Sequence, residues 1–348
     1  MTYLTELSAQ HRFVYKVSGR FAGWPANGGI WHWDDEILVR FQIGIHDDSG
    51  GGHAISREEP SREILARSLD GGETWTHEEI VSNQETPEMH RSIDFTHPDF
   101  AMQCGGSRFR ISYDRGKTWI GDYDLPDVGN KLTSRTDYLV NSKGDCHFFL
   151  SAKEDRVQAG IQDRAFCART TDGGENIEFV SWITDNIAVR SVMPSTVRIS
   201  DTHLVTALRR RHDTKQDDGT RLSKNWIEIC HSTDNGETWS LLCEAADTDG
   251  GAGRNGNPPS MVRLKDDRLC VTYGYRSTPY GIRAKLSEDN GKSWGNEIHL
   301  RDDGRNWDCG YTRTIQRTDG KLVTIYYYTT AENPEQHIAA TIWEVDEK

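Results

Sequence analysis

The sequence predicts an all-β fold, a six-bladed β-propeller with four-stranded antiparallel blades, and three observations carry that expectation. A short motif recurs as Ser68-Leu69-Asp70-Gly71-Gly72-Glu73-Thr74-Trp75, Ser112-Tyr113-Asp114-Arg115-Gly116-Lys117-Thr118-Trp119, Ser232-Thr233-Asp234-Asn235-Gly236-Glu237-Thr238-Trp239 and Ser287-Glu288-Asp289-Asn290-Gly291-Lys292-Ser293-Trp294. A degraded copy, Thr170-Thr171-Asp172-Gly173-Gly174-Glu175-Asn176-Ile177, has lost the Trp. The Asp positions are 44, 58, 62 and 55 residues apart, the range in which one repeat makes one four-stranded blade. At that period 348 residues leave room for about six blades. Each copy follows a β-prone run and reads as a hairpin turn. Asp accepts backbone N–H bonds, Gly takes the positive φ, and Trp packs beneath the next strand.

In chain order, residues 13–17 alternate as a strand suited to complete the last blade beside residues 338–345. Residues 19–29 lead into the inner strand 37–41 of the first blade, and a long loop over 47–63 precedes the strand that runs into the first turn. The second blade holds residues 94–100 and the strand 108–112, and the third opens on Arg135-Thr136-Asp137. The fourth has residues 193–198, then 204–208 ending in Arg209-Arg210-Arg211. The fifth has Asn257-Pro258-Pro259, then 269–275 followed by Arg276 and Arg283. The sixth opens on Gly310-Tyr311-Thr312-Arg313 and runs through 322–328. Polar clusters thus flank the inner strands, which in a propeller line the central channel, so these clusters are the ones placed to converge. A repeat running nearly end to end predicts one closed domain over residues 1–348, with no linker.

The formal charge of −13 excludes a basic footprint, so neither nucleic acid nor an anionic membrane is an expected partner. An anionic sugar stays compatible, because a pocket answers to its local charges and a few Arg side chains dominate there. Residues 1–12 carry Glu6, Gln10 and Arg12 without an apolar run of signal-peptide length, which predicts a soluble, cytoplasmic chain. Seven scattered Cys show neither metal-site spacing nor a paired framework and are expected to be reduced core residues. No nucleotide loop or H-E-x-x-H motif is present, and the Asp/Gly-rich loops lack a recognised Ca²⁺ spacing, so no cofactor or metal is expected.

The pattern S-x-D-x-G-x-T-W resembles the Asp-box of the sialidase-like propellers, over about residues 20–343. Sialidases of that kind hold a substrate carboxylate with three Arg, use a Tyr assisted by Glu as nucleophile, and use a loop Asp as acid/base. The resemblance implies that Tyr311 occupies the nucleophile segment, that Arg209 matches the second Arg, and that Arg276 or Arg283 matches the third. Departures accompany it. Gly23-Trp24-Pro25 stands where an Arg-Ile-Pro motif is usual, and the expected Glu positions fall in Pro194-Ser195 and Tyr326-Tyr327-Tyr328.

What the chain offers instead is a mixed set near the inner strands. His53, Asp94, His97 and Asp137 are candidate acid–base groups beside Tyr311, with His near neutral and carboxylates raised by burial. Trp24, Asn27, Arg135, Asn257, Asp308 and Arg313 are candidate substrate contacts with the three Arg above. Asp94 and Asp137 read equally as turn caps or blade ties, and His53, in Gly50-Gly51-Gly52-His53, as an exposed loop residue. Three functions are open. The leading one is a hydrolase removing a terminal acidic sugar, with the lost Tyr–Glu pair suiting an inverting mechanism. The second is a lyase acting on a uronic acid with His, Tyr and Arg, and the third a non-catalytic glycan-binding propeller.

Overall fold

The repeated turn is built by a single hydrogen-bond pattern in all five copies. In 232–239, the Ser232 Oγ accepts the Gly236 N–H at 2.8 Å and donates to Asp234 Oδ1 at 2.7 Å. The Asp234 carboxylate accepts the Thr238 N–H at 2.9 Å and its hydroxyl at 2.5 Å. The degraded copy keeps the pattern, with Thr170 Oγ1 on Gly174 N–H at 2.9 Å and the Asn176 amide on Asp172 at 2.7 Å. Losing the Trp therefore did not lose the turn. Gly is required at 116, where φ is +76° and a Cβ would meet Leu38 Cδ2 at 2.3 Å.

The computed structural model describes residues 8–50, 52–81, 92–154, 162–253 and 255–346. Its strands form six antiparallel sheets. Blades III, IV and V are Tyr138–Ser142 to Glu178–Trp182, Arg190–Arg198 to Ser240–Asp247, and Ser260–Arg263 to Ile298–Arg301, four strands each. In blade I the inner position is filled twice, by Arg20–Gly23 and Gly29–Trp33, both paired to Glu36–Ile45. Blade II has Ala101–Gly105, Arg108–Ser112 and Ile120–Asp124 among the described residues. Blade VI is Gly310–Gln316, Leu322–Tyr328 and His337–Trp343, completed by the N-terminal strand Ala9–Tyr15, whose Phe13 lies opposite Ala339. The N-terminal strand thus closes the ring against the expected neighbour, but it runs over Ala9–Tyr15 and not over residues 13–17.

Apolar faces of adjacent blades bury one another all round the ring. Trp31, Leu38, Ala101 and Trp119 join blades I and II, and Phe109, Phe148 and Phe166 join II and III. Phe149 and Leu208 join III and IV, Ile229 and Val271 join IV and V, Ile282 and Tyr326 join V and VI, and Ile325 and Val39 join VI and I. Six blades are therefore held by six such seams, and burial of apolar surface between blades is the main stabilising term. Six Cys are buried and Cys243 is partly so, all of them unpaired.

Each inner strand runs inward from one end of the ring, and antiparallel order then places every repeated turn at the opposite end. Asp234→Ala is expected to lower stability by about 1–2 kcal/mol through lost turn bonds, with turnover per folded molecule unchanged. Thermal denaturation beside a specific-activity assay checks this, and an unchanged melting temperature with lost activity would reverse the role given to the turns.

The channel is not open. Between the two inner strands of blade I the chain makes one helical turn, Pro25–Gly28, entered through Trp24 at φ 60°. Arg313 donates to the Ala26 carbonyl at 2.7 Å and to the Thr136 carbonyl at 2.9 Å, and the Thr136 hydroxyl donates to the Gly28 carbonyl at 2.7 Å. This turn plugs the channel and gives the mouth a floor.

Candidate active site

Tyr311 opens the inner strand of blade VI in the left-handed region, at φ 53°. Its N–H is taken by Asn257 Oδ1 at 2.9 Å, and Gly310 before it leaves room for that Asn, since a Cβ there would meet Asn257 Oδ1 at 2.3 Å. The pairing with Leu322–Tyr328 shifts register between Gly310 and Arg313, which turns the tyrosine out of the ladder. Its hydroxyl receives Arg209 Nη1 at 3.1 Å. Arg209 is 2 % exposed and donates from Nη2 to Asn255 Oδ1 at 2.6 Å. Arg276, 1 % exposed, sets its guanidinium 5.6 Å from the Tyr311 ring centre.

The electrostatics follow. Burial pushes the Tyr311 phenol up, but the charges of Arg209 and Arg276, the bond from Arg209 and the more distant Arg190 outweigh it and bring the pKa down to about 8. Burial pulls Arg209 down to about 10. The site thus favours negative charge on the Tyr311 oxygen or on a ligand group beside it.

A second group of side chains adjoins the first. The Tyr327 hydroxyl accepts Arg276 Nη2 at 2.7 Å and donates to Asp308 Oδ1 at 2.6 Å. Burial holds the Tyr327 phenol well above its ordinary value, so it stays a donor. His53 Nδ1 lies 2.5 Å from the same Asp308 oxygen, and Gln336 reaches the other at 3.2 Å. Burial would raise Asp308, yet the bonds from His53 and Tyr327 and the charge of Arg276 hold it below the usual carboxylate range. Asp308 therefore remains an anion that fixes the His53 ring by Nδ1 and leaves Nε2 for proton exchange. Trp24 stands edge-on to His53 at 5.1 Å, and Trp307 flanks it at 5.4 Å.

The structure brings together Tyr311, His53, Asp308, Arg209, Arg276, Asn257 and Trp24, and places Arg135 beside them with its Nε on Asn27 Oδ1 at 2.9 Å. Asp94 and His97 lie elsewhere. Asp94 accepts the Thr96 N–H at 3.0 Å, and His97 Nδ1 accepts the Asp99 N–H at 3.2 Å. Their segment bonds to the turn end of the ring, through Ile93 N–H to the Gly173 carbonyl and Arg115 N–H to the Asp99 carbonyl. Turn capping, the alternative reading of Asp94, is what its carboxylate does.

Asp137 and Arg313 lie beyond the plug, along a separate cavity of about 320 Å³ with Ile30, Trp31 and Trp33. Burial raises Asp137 to about 7 against the opposing charge of Arg313, and its carboxylate accepts the Thr196 hydroxyl at 2.9 Å. Arg283 belongs to blade V, where it donates to the Pro279 carbonyl at 3.0 Å and the Arg301 carbonyl, with Glu297 at 3.6 Å. Its guanidinium is a strut inside the blade and not a third arm of a clamp.

Sequence reasoning passed over Tyr327, Arg190 and Asn255. Arg190 opens the inner strand of blade IV and pairs with Asp163 at 2.6 Å. A polar residue just before an apolar inner strand was the available signal for Arg190, the same one that pointed to Arg135. Among the described residues no group of three or more His, Cys, Asp or Glu is placed to hold a metal ion, and no helix is long and apolar enough to cross a membrane.

The arrangement is a cation-ringed phenol next to a carboxylate-held imidazole at the mouth of a plugged propeller. Six blades, the turn that repeats along them and closure by the N-terminal strand define a BNR-type β-propeller. The chain belongs to the BNR repeat-like domain family, which matches residues 98–324. No curated protein sequence matches it. Among solved structures, a protein of unknown function from Dyadobacter fermentans is 20% identical, with a TM-score of 0.71 over 97% of this chain and 99% of that one. An α-L-arabinanase from Penicillium chrysogenum in complex with arabinobiose is 14% identical, TM-score 0.57, over 95% and 97%. The NanB sialidase of Streptococcus pneumoniae is 11% identical, TM-score 0.54, over 95% of this chain and 68% of that one. At these identities the likeness is one of fold.

Proposed function

We propose that this propeller is a glycoside hydrolase that removes a terminal sugar bearing a carboxylate, with Tyr311 as nucleophile and His53 as acid and base. The observation that carries the reading is the Tyr311 hydroxyl 3.1 Å from Arg209 with Arg276 over its ring. Arginine pairs a carboxylate bidentately, so the two guanidinium groups suit the anionic group of the sugar. A phenol whose pKa falls toward neutrality is more fully ionised as the attacking oxygen, and the two guanidinium groups offset the charge that the phenolate sets against an anionic substrate. Arg209 and Arg276 stabilise the phenolate, so Tyr311 can give up its proton to solvent before the attack and needs no partner glutamate as base, which favours retention over the inverting scheme.

In the first step the ionised Tyr311 oxygen bonds to the anomeric carbon, the glycosidic C–O bond breaks, and His53 gives its proton to the leaving oxygen; the phenolate is regenerated when Tyr311 leaves in the next step. In the second, His53 takes a proton from water, and that water displaces the Tyr311 oxygen. Asp308 stabilises the imidazolium between the steps. The fold shared with an arabinanase and a sialidase is compatible with such chemistry.

A proton NMR time course on aryl glycosides of sialic, ulosonic and uronic acids tests this. The expected result is release of the acidic sugar with its anomeric configuration retained in the first product. An inverted first product would remove Tyr311 as nucleophile, an unsaturated product absorbing in the ultraviolet would make the protein a lyase, and turnover of neutral glycosides alone would sink the acidic substrate.

A further inference from the structure

We infer that the trough between blades I and II is a subsite for a second anionic residue of the same glycan, so that the substrate is an acidic oligosaccharide and not a lone acidic sugar on a neutral carrier. The inference rests on the reading of the reaction given above, and it names the substrate class for that site. A cavity of about 670 Å³ opens from Trp24, Asn27 and Arg135 and runs outward over Arg40, Arg108 and Arg110. It shares its inner wall with the floor of the mouth, because Trp24 meets His53 edge-on and Asn27 holds Arg135. Its volume lies in the range of about 300–1,000 Å³ that holds a ligand of several rings.

The charge of this trough runs against that of the molecule. Five arginines and two carboxylates, Glu63 and Asp122, line it, in a chain whose formal charge is −13. The cations are held by partners that an anion can replace. Arg110 bonds Asp122 at 2.5 and 3.1 Å, and Arg108 reaches Asp124 at 3.1 Å, both at the outer end and both partly or largely exposed. Arg62 pairs with Glu79 at the surface. Exposed ion pairs of this kind hold their geometry weakly and exchange for a ligand anion at little cost.

Arg40 differs. Its residue is 5 % exposed, it donates to Gln103 at 3.1 Å and pairs with Glu63, and its Nε has no partner in the described structure. A buried guanidinium left short of acceptors is costly, and an anionic group drawn into the trough completes the balance around it. A polar, cationic trough joined to the mouth at one end fits the leaving-group side of a glycan whose next sugar also carries a carboxylate or sulfate.

The probe ligands are tetramers of sialic acid and of galacturonic acid, with maltotetraose as the neutral control. Binding is measured by calorimetry to the Tyr311→Phe protein, so that turnover does not interfere, and again in that protein carrying Arg108→Ala and Arg110→Ala. At least one acidic tetramer is expected to bind ten-fold or more tighter than maltotetraose, and the double change in the trough is expected to remove about ten-fold of that affinity, in line with loss of charge-assisted pairs. In the otherwise native enzyme the same double change is expected to leave turnover of a minimal aryl glycoside unaltered. Equal binding of acidic and neutral tetramers, or binding untouched by the double change, overturns the subsite. The outcomes separate the two readings. Trough-dependent binding without turnover of any glycoside supports the subsite and sinks the hydrolase. Turnover of the minimal glycoside with trough-independent binding does the reverse.

Discussion

Tyr311→Phe is expected to lower turnover of an acidic glycoside by about 10³-fold or more while the protein stays folded, because only the attacking oxygen is removed. The backbone N–H of residue 311 still bonds Asn257, and the ring still meets Tyr327 at 5.9 Å, so the local frame survives. The pH profile supplies a second readout. With Tyr311 drawn down to about 8, the limb of kcat/KM on the acid side rises with pH through about 8, as the phenolate fraction does. The folded-state pKa is below the ordinary value of about 10, so ionisation also adds stability that is full above about 10 and lost as pH falls through about 8. Arg209→Gln removes the nearest charge and is expected to move the activity limb to higher pH. A Phe variant that keeps substantial turnover, or a limb indifferent to Arg209, would show that Tyr311 only binds.

How far the sequence led depends on which residues obey a repeat. The turn is local chemistry, with Ser, Asp, Gly and Thr bonding within eight residues, so its five copies marked five blades and their order, and the chain length at that period left room for a sixth. Ring closure was legible too, because an alternating N-terminal strand with no neighbour of its own needs a partner. Tyr311, Arg209 and Arg276 were singled out through the resemblance to sialidases, and each stands at an end of an apolar run, where the mouth is built.

The misplaced residues fail for separate reasons, and for Asp137 and Arg313 the reason is that nothing in the sequence marks the plug. Pro25–Gly28 reads as a loop, yet it folds into the channel and divides Asp137 and Arg313 from Tyr311. Arg283 lies within a strand, and the side to which a strand residue points depends on register, here shifted between Ile282 and Arg283 on the outer edge. Tyr327 was hidden among three consecutive tyrosines, all fully buried, of which only the middle one faces Asp308. Strand alternation turns its neighbours the other way, where Tyr326 meets Thr341 and Tyr328 meets Asp303.

Arg276→Met is expected to cost the most in stability and to disable the site as well. Arg276 donates to the Cys309 carbonyl at 3.2 and 3.3 Å, to the Asn255 carbonyl at 2.5 Å and to the Tyr327 hydroxyl at 2.7 Å, all in the interior. Methionine fills comparable space without donating, so these acceptors are orphaned at about 1–3 kcal/mol for each buried group, and a loss of about 3 kcal/mol or more follows. Two consequences for the site separate from that loss. Tyr327 loses the cation that backs its bond to Asp308, which loosens the carboxylate fixing His53. Tyr311 loses one of the two charges that hold its pKa down, so its ionisation moves upward. Tyr327→Phe is the control, since it breaks the link to Asp308 but keeps Arg276 over Tyr311. Measured at a temperature where both variants are folded, Arg276→Met should move the rising limb set by Tyr311 to higher pH and weaken binding of an acidic sugar by about 2 kcal/mol or more, as a lost charge partner does. Tyr327→Phe should leave acidic-sugar binding intact and change chiefly the step served by His53. If the two variants bound the acidic sugar alike, Arg276 would be a structural tie and the substrate carboxylate would have to be held without it.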